Sequence, residues 1–200
     1  MKKKIGIYGG TFDPIHFGHI NLALELIEKK KVDEVWFCPV WINPHKTHDQ
    51  PTSFEHRKNM LQLALKDVPL CSIIYTEEKR NGPSYTLETI NDILKTASPD
   101  QQFSILLGDD AIPSFSKWHK PEEIIKLTKL CIGSRTNNLT ILNELTGHPE
   151  LCIAIKEGCT PTRIMEISST DIRHRIAKGL YCGHLLPEKV LDYIYKNHLY

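Results

Sequence analysis

Short apolar runs alternate along the chain with longer segments in which apolar residues recur every three or four positions. The first run, at 5–8, ends at two glycines, and a periodic segment at 17–30 follows it. Apolar runs bounded by turn residues are typical of buried strands, whereas the longer period is typical of helices with one apolar face. The other predicted strands are 35–38, 71–75, 103–107, 130–133 and 152–155.

Predicted helices separate most of these strands. Ser53 is placed to cap a helix that continues through Ala64. The other predicted helices are 85–96, 122–127, 139–145, 169–178 and 187–198. This alternation favours a doubly wound, Rossmann-like α/β fold, in which helices cover both faces of one parallel sheet. The length of 200 residues fits a single domain, with 160–200 as its C-terminal helical part.

The ends of the predicted strands indicate where a ligand would bind. Right-handed crossovers bring the loops that follow parallel strands to one edge of the sheet, and ligands of such sheets bind at that edge. The predicted site loops therefore follow residues 8, 40, 75, 107 and 133.

The loop after the first strand carries the string GGTFDPIHFGH at positions 9–19. Gly9 and Gly10 allow a tight turn and a close approach of the backbone to phosphate oxygens. His16 and His19 are three residues apart, so at the start of a helix they share one face. The helix start adds free N–H groups and partial positive charge. Such a site can hold a triphosphate and stabilise charge that develops on a phosphoryl group.

Other interpretations of this string remain open from the residues alone. Two histidines near a glycine turn are often surface residues without a role. A metal site is an alternative, but no third ligand follows at a zinc-like spacing. The string is not a P-loop, because neither GKS nor GKT follows the glycines.

A second string, ISSTDIR at 167–173, precedes a predicted helix. Ser169 or Thr170 is predicted to cap that helix, with hydroxyl and N–H groups facing an anion. Arg173, one turn later, adds a guanidinium that can bind phosphate through two hydrogen bonds. By itself the string is only a helix cap. Two helix beginnings about 150 residues apart that face one polyanion would form a site.

Together the two strings resemble the HxGH and ISSTxIR motifs of the nucleotidyltransferase superfamily, in which a mononucleotide phosphate attacks the α-phosphorus of a nucleoside triphosphate. The resemblance implies that His16 and His19 are catalytic, with His19 at the α-phosphate. It implies that ISSTDIR binds the β- and γ-phosphates, and that Arg135 lies near adenine. The implied ATP-binding residues are Gly9, Gly10, Thr11, Phe12, His16, His19, Gly108, Asp110, Arg135, Ile167, Ser168, Ser169, Thr170 and Arg173.

Four further segments resemble the bacterial nicotinate-mononucleotide adenylyltransferases. They are PHK at 44–46, EHRKNM at 55–60, GPSYT at 82–86, and 107–119 with its Trp118. An indole can stack on a pyridine ring, although this tryptophan could also be a core residue. The implied mononucleotide-binding residues are His45, Lys46, Tyr85, Thr86 and Trp118. The implied reaction joins ATP to nicotinate mononucleotide, giving nicotinate adenine dinucleotide and pyrophosphate.

Three other functions fit the same segments less well. Phosphopantetheine adenylyltransferases share the first two motifs, but the GPSYT and Trp118 segments speak against them. A nucleotide-binding module without turnover would not need both histidines. A flavodoxin-like carrier would need a hydroxyl-rich phosphate loop, which the glycine turn lacks.

Composition limits which binding partners and which cellular compartment fit the chain. A net charge of +1 gives no broad basic field for nucleic acid, and no apolar run is long enough to span a membrane. Six cysteines without a CxxC pair predict reduced thiols and a cytoplasmic protein. The expected partners are ATP, with Mg²⁺ on its phosphates, and nicotinate mononucleotide. No metal ligand in the protein is expected, and association into a homo-oligomer is left open.

Overall fold

The computed structural model describes residues 2–42, 51–78, 82–134, 147–163 and 165–200. Within these residues six strands form one sheet, and every pairing is parallel. The strands are β1 (Lys3–Gly10), β2 (Glu34–Pro39), β3 (Cys71–Ile73), β4 (Gln101–Gly108), β5 (Lys129–Ser134) and β6 (Cys159–Pro161). Their order in the sheet is β3-β2-β1-β4-β5-β6. Successive strands are thus added on one side of β1 as far as β3 and on its other side from β4 onward, so the order of strands reverses between β1 and β4. The predicted doubly wound fold is confirmed.

Helices connect the strands and pack on both faces of the sheet. They are α1 (Phe17–Glu28), α2 (Phe54–Leu65), α3 (Thr86–Thr96), α4 (Ile112–Phe115), α5 (Pro121–Leu127), α6 (Pro149–Gly158), α7 (Ser169–Ala177) and α8 (Glu188–Lys196). The predicted helix 139–145 lies outside the described residues. Among the helices that the structure describes, none is long and apolar enough to cross a membrane.

Two buried clusters fill the space between the sheet and its helices. Neighbouring residues of β4 divide between them, because successive side chains of a strand point to opposite faces. Leu106 belongs to the cluster that includes residues of α1, α2, α7 and α8, whereas Ile105 and Leu107 belong to the cluster that includes residues of α3, α5 and α6. The helices of the C-terminal part, α7 and α8, thus belong to the same core as α1.

The predicted strand at 152–155 is wrong, because this segment lies in α6. Leu151 and Ile155, four residues apart, are fully buried, while Ile153 between them is 58% exposed. In a strand all three would share a face, so this pattern belongs to a helix. Pro149 occupies the first turn of α6, where its missing N–H costs nothing. The sixth strand follows directly as β6.

Candidate active site

The turn between β1 and α1 contains a backbone conformation that is rare for a residue other than glycine. Phe12 has a φ of +48°, a backbone conformation that L side chains rarely adopt. Its ring is buried and packs against the rings of Tyr8 and Phe37, with centroids 5.5 Å away in both cases. A Cβ on Gly10 would come within 2.8 Å of the Phe12 ring, so a glycine is needed there. The Phe12 side chain therefore belongs to the core rather than to a binding cavity.

His16 and His19 share one face at the start of α1, as the spacing predicts. His16 is the N-cap residue, and His19 is in the first turn. Their imidazole rings stack with centroids 3.7 Å apart. Gly18 makes room for this arrangement, since a Cβ there would lie 3.0 Å from the His16 ring.

A backbone hydrogen bond fixes the proton position on His19. The His16 backbone N–H donates to Nδ1 of His19 at 3.3 Å. Since Nδ1 accepts, the neutral imidazole of His19 carries its proton on Nε2. That N–H is a donor available to a phosphoryl oxygen.

Burial keeps both histidines uncharged near neutral pH. It lowers the pKa of His16 to about 4. Burial also lowers the pKa of His19, and the neighbouring His16 lowers it further. Within the described residues, the buried Nδ1 of His16 has no hydrogen-bond partner. A negatively charged ligand would both offer a partner and raise these pKa values.

The start of α7 meets the β1–α1 turn directly. Ser168 is its N-cap, and its side chain accepts from the Asp171 backbone N–H at 3.1 Å. The prediction that Ser169 or Thr170 caps this helix is therefore wrong by one or two residues. Ser168 has the extended backbone that a cap needs, whereas the next residue is already helical. The hydroxyl of Ser169 instead donates to the main-chain oxygen of Pro14 at 2.9 Å.

Both helix beginnings line one cavity of about 330 Å³, here called the histidine cavity. Many of the residues that the sequence predicts to bind ATP line this cavity, and they are His16, His19, Gly108, Asp110, Ile167, Ser168, Ser169 and Thr170. Arg173 is not among the lining residues. Its guanidinium lies beside the cavity, where Nη1 donates to the main-chain oxygen of Asp13 at 2.8 Å.

A second cavity, of about 500 Å³, adjoins the first and is here called the tryptophan cavity. Tyr85, Thr86 and Trp118, predicted for the mononucleotide, line it together. Its lining also includes four residues that are predicted to bind ATP, which are Gly9, Gly10, Thr11 and Asp110. Asp110 lines both cavities, so the two meet at this residue. The other predicted site residues, His45, Lys46 and Arg135, lie outside the described residues.

Three polar residues that line the tryptophan cavity, Glu77, Ser84 and Thr89, form a buried network that the sequence does not predict. Glu77, only 4% exposed, accepts from the Thr89 hydroxyl at 2.6 Å and from the Trp41 backbone N–H at 3.1 Å. The Ser84 hydroxyl oxygen accepts from the same N–H at 3.1 Å. These bonds join the chain after β2 to the start of α3. The only signal in the sequence is that Glu77 lies in a predicted site loop, the one after residue 75.

Comparisons with known proteins agree with this geometry. A family model described as cytidylyltransferase-like matches residues 7–175, which include both strings. The fold and the site thus define a nucleotidyltransferase of the cytidylyltransferase-like class.

Relatives that align with this chain over almost their full length identify its family within this class. A nicotinate-nucleotide adenylyltransferase of Bacillus subtilis (strain 168) is 37% identical over 198 residues, which cover 99% of this chain and 98% of the relative. A probable nicotinate-nucleotide adenylyltransferase of Bacillus cytotoxicus is 38% identical with the same coverage. The chain belongs to the nicotinate-nucleotide adenylyltransferase family. A Plasmodium falciparum nicotinic acid mononucleotide adenylyltransferase complexed with NaAD shares the fold, with a TM-score of 0.77, 21% identity, and coverage of 98% and 97% of the two chains.

Proposed function

We propose that this chain transfers the adenylyl group of ATP to nicotinate mononucleotide, giving nicotinate adenine dinucleotide and pyrophosphate. The observation that carries the proposal is the pair of adjoining cavities that meet at Asp110. One cavity has stacked imidazoles and two helix beginnings, and the other has an indole and the start of α3. A dinucleotide needs such a pair of neighbouring sites. The Plasmodium falciparum enzyme of the same fold, solved with NaAD, supports this assignment.

In this proposal the histidine cavity binds the triphosphate of ATP. The starts of α1 and α7 provide partial positive charge, which favours phosphate oxygens. The backbone N–H groups come from Ser169 and Thr170 of α7, because at α1 the N–H of His16 donates to His19 and that of Phe17 donates to the main-chain oxygen of Leu185. The Nε2–H of His19 donates to the α-phosphate as negative charge develops there. Mg²⁺ arrives with ATP, since phosphate oxygens are the ligands that this hard cation prefers. In the part of the chain that the structure describes, no group of three or more His, Cys, Asp or Glu side chains could hold a metal ion.

Arg173 has a double role in the proposal. Two of its hydrogen bonds stay within the protein, to the main-chain oxygen of Asp13 at 2.8 Å and to the Thr170 hydroxyl at 3.3 Å. A guanidinium has five N–H donors, so donors remain for a phosphate oxygen. Arg135 at adenine remains a prediction.

The tryptophan cavity binds the acceptor. Trp118 is partly buried and packs against Phe115, with ring centroids 5.2 Å apart, while the same side chain lines the cavity. Its indole can therefore stack on the pyridine ring from a fixed position. The first backbone N–H groups of α3, next to Tyr85 and Thr86, suit the carboxylate of nicotinate. Lys46 and His45 remain predictions for the mononucleotide, with the lysine at its phosphate.

The reaction is an in-line displacement at phosphorus. An oxygen of the acceptor 5′-phosphate forms a bond to the α-phosphorus, the bond from that phosphorus to the bridging oxygen breaks, and its electron pair leaves with pyrophosphate. The attacking phosphate is already ionised at neutral pH, so no general base is required. Catalysis consists of positioning the two substrates and stabilising charge.

The six cysteines suit a reducing compartment. All of them lie within the described residues, and all are free thiols. Burial raises the pKa of Cys71 and of Cys131 to about 11, so these thiols stay protonated and weakly reactive. We assign the protein to the cytoplasm on this chemistry.

A comparison of acceptors tests the proposal. The purified protein is incubated with Mg·ATP and, in separate reactions, nicotinate mononucleotide, nicotinamide mononucleotide or 4′-phosphopantetheine. Dinucleotide and pyrophosphate are both quantified. We expect kcat/KM to be highest with nicotinate mononucleotide. Adenylylation of phosphopantetheine, or no pyrophosphate with any acceptor, would refute the assignment.

A further inference from the structure

The carboxylate of Asp13, in the middle of the β1–α1 turn, is buried and fully engaged. The residue is 5% exposed. Its Oδ1 accepts from the Tyr200 hydroxyl at 2.6 Å, and its Oδ2 accepts from the Thr52 backbone N–H at 3.1 Å. A buried carboxylate is unfavourable unless it is hydrogen-bonded and near a compensating charge. The nearby charge is that of Arg57, since Asp13 raises the pKa of this arginine against the lowering effect of burial.

The backbone of the same turn is held by two helices. Arg57 of α2, 1% exposed, donates from Nη1 to the main-chain oxygen of Thr11 at 2.9 Å. From α7, Arg173 donates to the main-chain oxygen of Asp13, and Ser169 to that of Pro14. The turn runs directly into the helix cap formed by His16. The position of this histidine therefore depends on contacts from distant parts of the chain.

The turn is not a conformation that it would adopt unaided. Phe12, next to Asp13, has its φ in the left-handed region, which is unfavourable for an L side chain. Such a conformation persists only where the surrounding structure enforces it. Loss of a contact at Asp13 should therefore allow the turn to move.

Tyr200 is the most distant of these contacts, 187 positions from Asp13 along the chain. Burial and the neighbouring carboxylate of Asp13 raise the pKa of Tyr200, so its hydroxyl remains a donor over the whole working pH range. Hydrogen bonds from a hydroxyl to a carboxylate are short and strong, and this one has the geometry expected of them. Tyr200 is not among the described residues that line the histidine or the tryptophan cavity.

We propose that Tyr200 is a positioning residue for adenylyl transfer, whose hydroxyl holds the β1–α1 turn, and with it His16, through Asp13. The inference rests on the proposed function and extends it to a residue outside both cavities. Small displacements of catalytic groups have large kinetic effects, since a shift of about 1 Å can cost roughly a hundredfold in rate. Removal of one hydroxyl should act more mildly, and we expect kcat to fall about tenfold.

The test compares Tyr200→Phe with Tyr195→Phe. Both substitutions remove one phenolic hydroxyl and keep the ring, but Tyr195 is on the exposed side of α8, 47% accessible. We measure kcat, the thermal unfolding midpoint, and the NMR resonance of the His16 ring, assigned from its loss in His16→Asn. Tyr200→Phe should lower kcat and shift the His16 resonance while the protein stays folded at the assay temperature. Tyr195→Phe should leave both unchanged.

A double-mutant cycle with Asp13→Asn separates positioning from a general loss of stability. If the hydroxyl acts through this carboxylate, Tyr200→Phe should have little further effect on kcat in the Asp13→Asn background. Additive effects on kcat, or equal kcat for Tyr200→Phe and Tyr195→Phe with an active wild type, would overturn the inference and leave the proposed function intact. A wild-type protein that makes no dinucleotide would overturn both. Should Tyr200→Phe fail to fold, the His16 resonance in Asp13→Asn decides, and an unshifted resonance refutes the inference.

Discussion

The imidazole rings of His16 and His19 stack face to face with centroids 3.7 Å apart. Two protonated rings could not remain at this distance without strong repulsion, and burial lowers the pKa of both. The site therefore presents neutral imidazoles that are already in place. A triphosphate that enters it meets preorganised hydrogen-bonding groups instead of flexible charged side chains.

The low pKa of His16 predicts a specific dependence of stability on pH. Its pKa is about 4 in the folded protein and 6.5 in the ordinary case, so between these values the unfolded chain binds more protons. The contribution of this histidine is fully present above pH 6.5 and is lost as the pH falls toward 4. Urea unfolding should show that, between pH 6.5 and pH 4, the free energy of unfolding of the wild type falls by about 3 kcal/mol more than that of His16→Asn. His184→Asn, at an exposed position, should behave as wild type, and equal losses in all three proteins would contradict the assignment.

Loss of His19 should reduce turnover far more than binding. Its Nε2–H is proposed to strengthen its contact only as charge develops on the α-phosphate. We expect His19→Ala to lower kcat by about ten- to a thousandfold, the range for removal of one transition-state donor. Steady-state kinetics provide the measurement, with circular dichroism to establish that the variant is folded. Normal turnover in a folded His19→Ala protein would end the catalytic assignment.

Substitution of Arg173 should change the KM for ATP more than the KM for the acceptor. We expect Arg173→Ala to raise the KM for ATP by about ten- to a hundredfold, since hydrogen bonds to charged groups are stronger than neutral ones. Arg173→Lys should not restore binding, because an ammonium cannot contact the Asp13 oxygen and a phosphate with one planar fork. Lys178→Ala, at the far end of α7, serves as the control of equal charge change. An unchanged KM for ATP in Arg173→Ala would argue against a phosphate role.

Loss of the Trp118 indole should weaken binding of the acceptor but not of ATP. Stacking of a base on an aromatic side chain contributes about 1–3 kcal/mol, so Trp118→Ala should raise the KM for nicotinate mononucleotide by about tenfold or more. The KM for ATP in the same protein is the internal control, because Trp118 lines only the tryptophan cavity. Equal increases in both KM values would indicate collapse of the structure around Phe115 instead of lost stacking.

The sequence predicts the parts of the molecule that local pattern determines. Apolar runs and helical periods place the parallel sheet, and the strings at 9–19 and 167–173 place both helix beginnings. The error at 152–155 arose where an apolar stretch was short enough to suit either a strand or a helix. Burial of Leu151 and Ile155 with exposure of Ile153 resolves it, and burial is known only from the tertiary structure.

Contacts between distant segments were beyond prediction. Asp13 and Tyr200 are 187 positions apart, and nothing in either local sequence indicates the other. The same holds for buried Arg57, whose guanidinium donates to main-chain oxygens of three separate segments. Thr11 was predicted at the ATP phosphates but lines the tryptophan cavity, because the turn after β1 passes between the two cavities.

In the proposed reaction, the starts of α1 and α7 bind one triphosphate beside the stacked histidines. The most direct measurement is a crystal structure of the protein with Mg²⁺ and an ATP analogue that has a methylene bridge between the α- and β-phosphates. We predict phosphate oxygens within hydrogen-bond distance of His16 or His19 and also of the backbone N–H groups at Ser169 and Thr170. A triphosphate that contacts only one of these helix beginnings, or neither, would contradict the claim.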